Sequence, residues 1–235
     1  MILFLRSLAF NIGFYGFTVV TVVTAIPILF LPRKILRRVM RSYTFWVELM
    51  LRVLCNVRVH VEGMEHIPPG ACLIVSKHGS AFDTVFWLSR LPDPCYVMKV
   101  ELMRLPLWGW LARHLEMISV DRDGGGAALK QMVRDTQKAA ADGRQIIIYP
   151  EGTRVAPDVQ APYQPGVAAM AAVTKLPVIP VATNSAWFWG RRAFTIHPGI
   201  LRVKVLPALP PNLPRAQFMA TLEEVIEGET ALLPH

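Results

Sequence analysis

Apolar and polar positions along the chain follow three successive patterns. Residues 7–32 hold no charged side chain. Such a run is long enough to cross a ~30 Å hydrocarbon core as a helix, for which about 20 residues suffice. Residues 35–54 mix apolar with basic positions. From residue 57 onward, short apolar runs alternate with stretches of helical or small-residue character. Residues 57–62 alternate apolar and polar, as a half-buried strand does. Residues 71–75, 96–98, 117–120, 144–149 and 178–183 are short apolar runs that predict further strands. Residues 84–88, 102–111, 124–141 and 166–175 predict helices between them. Residues 200–206 predict an edge strand, 207–214 a proline-rich connector, and the segment to about residue 232 a terminal helix. The alternation predicts an α/β fold, a mostly parallel sheet flanked by helices, preceded by an N-terminal hydrophobic membrane helix or two-helix membrane-associated motif. Residues 1–55 are expected to form the membrane-associated helical segment and residues 56–235 the α/β domain.

Candidate chemistry falls at the ends of these strands. His78 follows one of them, and Asp83 comes five positions later. On one helix such residues lie about 140° apart, so the two side chains meet only if His78 ends the strand and Asp83 opens the following helix. There a neutral imidazole can take a proton from an alcohol, while the carboxylate fixes the tautomer and stabilises the imidazolium that forms. With no serine in the arrangement, the hydroxyl would belong to a substrate. Ser80 and Asp83 also fit a capping box, a structural role compatible with the catalytic one. The second cluster, Glu151-Gly152-Thr153-Arg154, lies just beyond residues 144–149, where ligands bind in open α/β sheets. Arg154 offers a planar fork for a phosphate, Gly152 permits close backbone approach, and Glu151 can position a substrate group or the arginine. An ordinary polar turn with a surface ion pair fits the same four residues. Lys99 can donate to a phosphate or to a thioester carbonyl as negative charge develops, or stand solvated. Arg122 follows residues 117–120 and is expected at the same sheet edge.

The motif order resembles the glycerolipid acyltransferase family over roughly residues 57–209. It runs His78-x-x-x-x-Asp83, Val120-Asp121-Arg122, Glu151-Gly152-Thr153-Arg154, then Leu176-Pro177-Val178-Ile179-Pro180-Val181. Lys99-Val100-Glu101-Leu102 resembles the lysine-containing stretch between the first two motifs. The chain departs from the family's pattern at Leu115-Glu116-Met117-Ile118, where many members carry a glycine. It departs again at Tyr163-Gln164-Pro165-Gly166, where a phenylalanine and lysines are usual. The resemblance implies transfer of a fatty acyl group from an acyl thioester, acyl-CoA or acyl carrier protein, to the sn-2 hydroxyl of lysophosphatidic acid, giving phosphatidic acid. His78 and Asp83 would then be the general base pair, with Lys99, Arg122, Glu151, Gly152, Thr153 and Arg154 binding substrate. No metal and no cofactor beyond the thioester co-substrate is required.

A formal net charge of +8 suits an acidic partner such as anionic lipid headgroups, coenzyme A phosphates or acyl carrier protein. Nucleic acid fits less well, because the basic residues cluster beside the apolar segment rather than among exposed aromatics. Arg33, Lys34, Arg37, Arg38 and Arg41 follow that segment and only Arg6 precedes it. The positive-inside rule therefore places the catalytic domain on the cytoplasmic side of the cell membrane. A signal peptide is disfavoured by the basic stop-transfer pattern. Pro27 and the second apolar-basic segment leave a transmembrane span and a one-leaflet hairpin both open. Trp187, Phe188 and Trp189 with Arg191 and Arg192 form an aromatic-basic cluster suited to a bilayer interface or to the core. Cys55, Cys72 and Cys95 lack metal-like spacing and read as buried reduced thiols. Lyso-ornithine lipid or another lysophospholipid would suit the same chemistry. A non-catalytic protein binding anionic lipid through its basic belt would share the composition.

Overall fold

The computed structural model describes residues 1–121 and 124–235. Helix α1 (Ile2–Thr24) leads through a 3-10 turn (Ile26–Phe30), with Pro27 in its first positions, into α2 (Arg33–Cys55). Contacts of Cys55 with Arg6 and of Tyr43 with Thr18 make the pair an antiparallel hairpin. Asn56, in the left-handed conformation, ends α2 and turns the chain into β1 (Val57–Glu62). There follow β2 (Cys72–Ser76), α3 (Ala81–Arg90), β3 (Pro94–Lys99), α4 (Val100–Arg104), α5 (Trp108–His114), β4 (Ile118–Val120), α6 (Gly125–Ala141), β5 (Gln145–Ile148), α7 (Gly166–Thr174), β6 (Val178–Thr183), α8 (Ser185–Phe188), β7 (Gly199–Val205) and α9 (Arg215–Leu232).

The strands form a sheet in the order β1-β7-β6-β2-β5-β3-β4. Every pairing is parallel except β6 with β7, so the mostly parallel α/β architecture is as the sequence predicts. Strand side chains alternate between two cores, as the pleat requires. Cys72, Ile74, Ile147, Ile179 and Val181 pack with Phe82, Phe86 and Trp87 of α3 and with Tyr43, Val47 and Leu51 of α2. Leu73, Val75, Ile146, Ile148 and Val178 face the other way, onto Met132 of α6, Val167 and Met170 of α7, and Phe218, Leu222 and Ile226 of α9. Strands apolar on both faces are therefore central, covered by helices on each side.

Two element expectations need correction. Residues 102–111 are not one helix: α4 stops at Arg104 and α5 begins at Trp108, because Pro106 interrupts the run and Leu107 takes a positive φ of 63°. Residues 200–206 do not form an edge, since β7 lies between β1 and β6. Their alternation arises because one face of β7 packs through Leu201, Val203 and Val205 while Ile200, Arg202 and Lys204 meet solvent to differing degrees. Alternation reports an uncovered face, not an edge position.

Helix α1 buries one stripe along its length, Ser7, Phe10, Phe14 and Thr21, continued by Ala25 in the turn. Phe10 and Phe14 both meet Trp189 edge-on, with ring centroids 5.1 and 4.9 Å away. Asn11 Nδ2 donates to the Phe194 carbonyl at 2.9 Å, and Ser7 Oγ accepts from the Ile196 amide at 2.9 Å. The cluster of Phe188 and Trp189 is thus core, with Arg191 and Arg192 exposed. Part of the basic belt is also engaged internally: Arg33 and Arg37 pair with Asp93 at 3.0 and 2.6 Å, and Arg41 donates to the Leu91 carbonyl. Lys34 and Arg38 remain exposed.

Candidate active site

The loop between β2 and α3 carries His78, and Asp83 sits in the first turn of α3. Asp83 Oδ2 accepts from His78 Nδ1 at 3.1 Å, from the Gly79 amide at 2.9 Å and from the Ser80 amide at 2.8 Å. Ser80 caps the helix, its hydroxyl accepting from the Phe82 amide at 3.0 Å. One carboxylate therefore closes the capping box and orients the imidazole. His78 Nδ1 faces a carboxylate that already holds two amide protons, so the nitrogen bears hydrogen and Nε2 is left as the basic position. Among the described residues Nε2 makes no hydrogen bond, and the His78 side chain keeps 11% of its surface exposed. Gly79 allows this loop to pass close to α8: a Cβ there would lie 2.5 Å from Ala186 Cβ.

Tyr149, the residue after β5, is a partner that sequence reasoning passed over. Its ring stacks on the His78 imidazole at 4.1 Å between centroids, and its hydroxyl donates to the Asp83 carbonyl at 2.7 Å. Burial holds its phenol well above the ordinary range, so it stays a donor. Tyr149 was legible only as the polar tip of an apolar run; nothing local links it to a histidine seventy residues earlier.

The segment after β5 clamps the same histidine. The His78 amide donates to Glu151 Oε1 at 3.2 Å, and the His78 carbonyl accepts from the Val155 amide at 2.8 Å. Gly152, at φ 68°, closes the turn between them by donating to the Tyr149 carbonyl at 3.0 Å. Both main-chain polar groups of His78 are therefore set by the Glu-Gly-Thr-Arg loop. Glu151, expected to reach a substrate group or the arginine, turns inward with no side-chain exposure and meets Lys77 Nζ at 3.7 Å. Desolvation by burial raises its carboxyl from 4.5 to about 7, against the lowering effect of Lys77. Thr153 and Arg154 are partly exposed, and among the described residues the Arg154 guanidinium makes no hydrogen bond or ion pair.

Register fixes the remaining placement. Ile74, Ile147 and Tyr96 lie level across β2, β5 and β3, so the exposed Lys99, at the carboxyl end of β3, emerges along the same edge as His78 and Arg154. Strand spacing puts it about 10 Å from the β2 end. Arg122, expected at this edge, lies outside the described residues. The three cysteines are free and buried, and burial pushes the Cys72 thiol up to about 12.

The arrangement offers an oriented imidazole with an accessible nitrogen, a guanidinium on the neighbouring loop that has no hydrogen bond or ion pair among the described residues, and a lysine further along the edge. That set suits proton removal from a hydroxyl on an anionic substrate. Residues 58–184 match the model of the acyltransferase family, described as "Acyltransferase". The chain is 33% identical over 174 residues to the 1-acyl-sn-glycerol-3-phosphate acyltransferase of Pseudomonas aeruginosa, covering 74% of this chain and 67% of that one. It is 32% identical to 1-acyl-sn-glycerol-3-phosphate acyltransferase alpha of Mus musculus over 164 residues, 66% of this chain and 56% of that one. The chain thus spans between about half and two thirds of these relatives. The crystal structure of the 1-acyl-sn-glycerophosphate (LPA) acyltransferase from Thermotoga maritima superposes with a TM-score of 0.78, covering 97% of this chain and 95% of that one at 22% identity, which attests the shared fold. With its fold, its motif loops and a family match that spans β1 to β6, the chain belongs to the acyltransferase family.

Proposed function

We propose that this protein transfers a fatty acyl group from an acyl thioester to the free sn-2 hydroxyl of lysophosphatidic acid. The observation that carries the proposal is His78 held by Asp83 through Nδ1, with Nε2 accessible at a sheet edge where the Arg154 guanidinium has no hydrogen bond or ion pair among the described residues. The names of the relatives support the acceptor, and the chain's positive charge suits an anionic substrate. In the reaction His78 Nε2 removes the hydroxyl proton as the oxygen attacks the thioester carbonyl. The tetrahedral intermediate then expels the thiolate, which takes the proton back from the imidazolium. Tyr149 and Asp83 keep the ring oriented throughout, and a base of this kind contributes ~10²–10⁴ in rate. Arg154 and Arg122 hold the acceptor phosphate, and Lys99 meets a phosphate or the developing oxyanion. Glu151 and Gly152 shape the loop that carries these groups.

The N-terminal hairpin supports working at a bilayer. Residues Ile2–Phe30 are long and apolar enough to cross one, with mean hydropathy 2.0. The buried stripe of α1 packs on the body of the protein, leaving Leu5, Leu8, Ile12, Tyr15, Val19 and Val23 on the opposite face. A helix held to the domain in this way favours insertion into one leaflet over a crossing. Trp108 and Trp110, 38% and 47% exposed on α5, suit the same interface. The reading places the domain at the cytoplasmic leaflet, where acyl-CoA and acyl carrier protein are both available.

A panel of acceptors tests the function. Purified protein should convert lysophosphatidic acid to phosphatidic acid with acyl-CoA or acyl carrier protein as donor. It should be far slower with lyso-ornithine lipid, which lacks the phosphate. Equal rates on both acceptors would overturn the phosphate assignment.

A further inference from the structure

A buried charge cluster beneath the site has no part in the chemistry above. Lys77, immediately before His78, points its ammonium into the interior, where it donates to both carboxylate oxygens of Glu227 on α9 at 2.6 Å each. Glu227 Oε1 also accepts from the Tyr163 hydroxyl at 2.8 Å. On its other side Lys77 lies 3.7 Å from Glu151 Oε1, the atom that receives the His78 amide. Glu151 Oε2 is buried without a hydrogen-bond partner among the described residues.

A purely structural account of this cluster is weak. Helix α9 is already docked by Phe218, Leu222 and Ile226, spaced four apart on its inward face. Buried ion pairs contribute little net stability, because desolvation offsets their attraction. Here one cation serves two carboxylates, so the interior carries an unbalanced negative charge whenever both are ionised. What the cluster does control is the charge on Glu151, and so the strength with which it grips the main chain of His78.

We propose that Lys77 and Glu227 are positioning residues for the base: Lys77 holds Glu151 ionised against the His78 amide, and Glu227 on the C-terminal helix sets how much of the Lys77 charge Glu151 receives. This rests on His78 being the base. The groups facing Glu151 are Lys77 and His78 just after β2, Tyr163 before α7, Glu227 from α9, and Tyr149 on its own segment, while Glu223 of α9 acts on Tyr163. Only the ionised carboxylate is a strong acceptor for the amide, so the base is best placed above the pKa of Glu151 and loses its hold as pH falls through it.

The two residues act on Glu151 with opposite sign, and that makes the idea testable. Lys77→Met removes the stabilising cation, so the acid limb of the kcat profile should move up by at least about 0.5 pH unit, with kcat lowered at pH 7. Glu227→Gln removes a competing anion and frees Lys77 for Glu151, so the limb should move down by a similar amount. KM for lysophosphatidic acid should change less than about twofold in both, since neither residue meets substrate. In a Glu151→Gln background both shifts should vanish. Limbs that stay in place, move in the same direction, or shift undiminished in that background would overturn the proposal. If Lys77→Met does not fold, as judged by circular dichroism, the downward shift in Glu227→Gln and its loss in the Glu151→Gln background still decide it. Should wild type lack a His78-dependent activity altogether, it is the functional reading that fails; activity that depends on His78 without the opposite shifts sinks this inference alone.

Discussion

Replacing Asp83 by Asn separates the two roles carried by one carboxylate. The side chain is 3% exposed and its Oδ2 holds three donors. Asparagine keeps the shape and one carbonyl oxygen, so the Gly79 and Ser80 amides retain an acceptor that is neutral rather than charged. Each such bond weakens by about 1 kcal/mol, and loss of a negative charge at the α3 N-terminus adds about 0.3–1 kcal/mol. A total of about 2–3 kcal/mol corresponds to a melting temperature lower by roughly 5–10 °C in a chain of this size. The amide also offers His78 Nδ1 either a donor or a weaker acceptor, so the imidazole loses its preferred tautomer and the support for its protonated form. In Ser-His-Asp sites that change costs about 10⁴ in kcat, and a loss of about 10³–10⁴ is expected here. Melting followed by circular dichroism, with turnover measured at least 15 °C below the variant's own midpoint, keeps the two effects apart. If the folded variant retains activity within about threefold of wild type, Asp83 is only a helix cap and the proposed base has no orienting partner.

Removing the Arg154 guanidinium as Ala should raise KM for lysophosphatidic acid by about 10–100-fold with a smaller effect on kcat, as for loss of a charge-assisted contact; an unchanged KM takes the residue out of the phosphate site. Glu151 is raised to about 7 in the folded protein from 4.5, so between these values the folded state binds the extra proton and stability declines as pH rises. Thermal melts should therefore show Glu151→Gln gaining about 1–3 kcal/mol relative to wild type on going from pH 5 to pH 8, and no relative gain would contradict the burial account. Phe10 is fully buried against Trp189, so Phe10→Ala should cost about 3–5 kcal/mol in unfolding measurements. If α1 instead leaves the body to cross a bilayer, that substitution should be nearly silent. Changing Trp108 and Trp110 together to Ala should weaken flotation with anionic vesicles while leaving the melting temperature nearly unchanged, because both side chains are substantially exposed; unaltered flotation removes α5 from the membrane face.

Local physics made much of this protein legible. The strand, cap and helix around His78 and Asp83 lie within a dozen residues, so spacing alone brought the pair together. Apolar runs located β2, β5 and β6 because each is buried through its side chains, and alternation located β1, whose Arg58, His60 and Glu62 are exposed. The interruption at Pro106 was also readable, since a proline removes a helical donor and clashes with the preceding turn. Sheet order was harder: β7 pairs with β1, more than 130 residues away, and its half-exposed face imitates an edge. The contacts of Tyr149, Lys77, Tyr163 and Glu227 were not accessible, since each joins segments far apart in the chain. The nearest clue was Glu227 beside the inward stripe of Phe218, Leu222 and Ile226, where a carboxylate needs a buried partner.

The central claim is that His78 takes the proton from a lysolipid hydroxyl. It is tested most directly by following phosphatidic acid formation from lysophosphatidic acid and an acyl thioester with purified wild type and His78→Ala, the two matched in folding by circular dichroism. The account predicts steady product from wild type and a rate at least about 10²-fold lower from the variant at every pH. A folded His78→Ala protein that keeps most of the wild-type rate would contradict it.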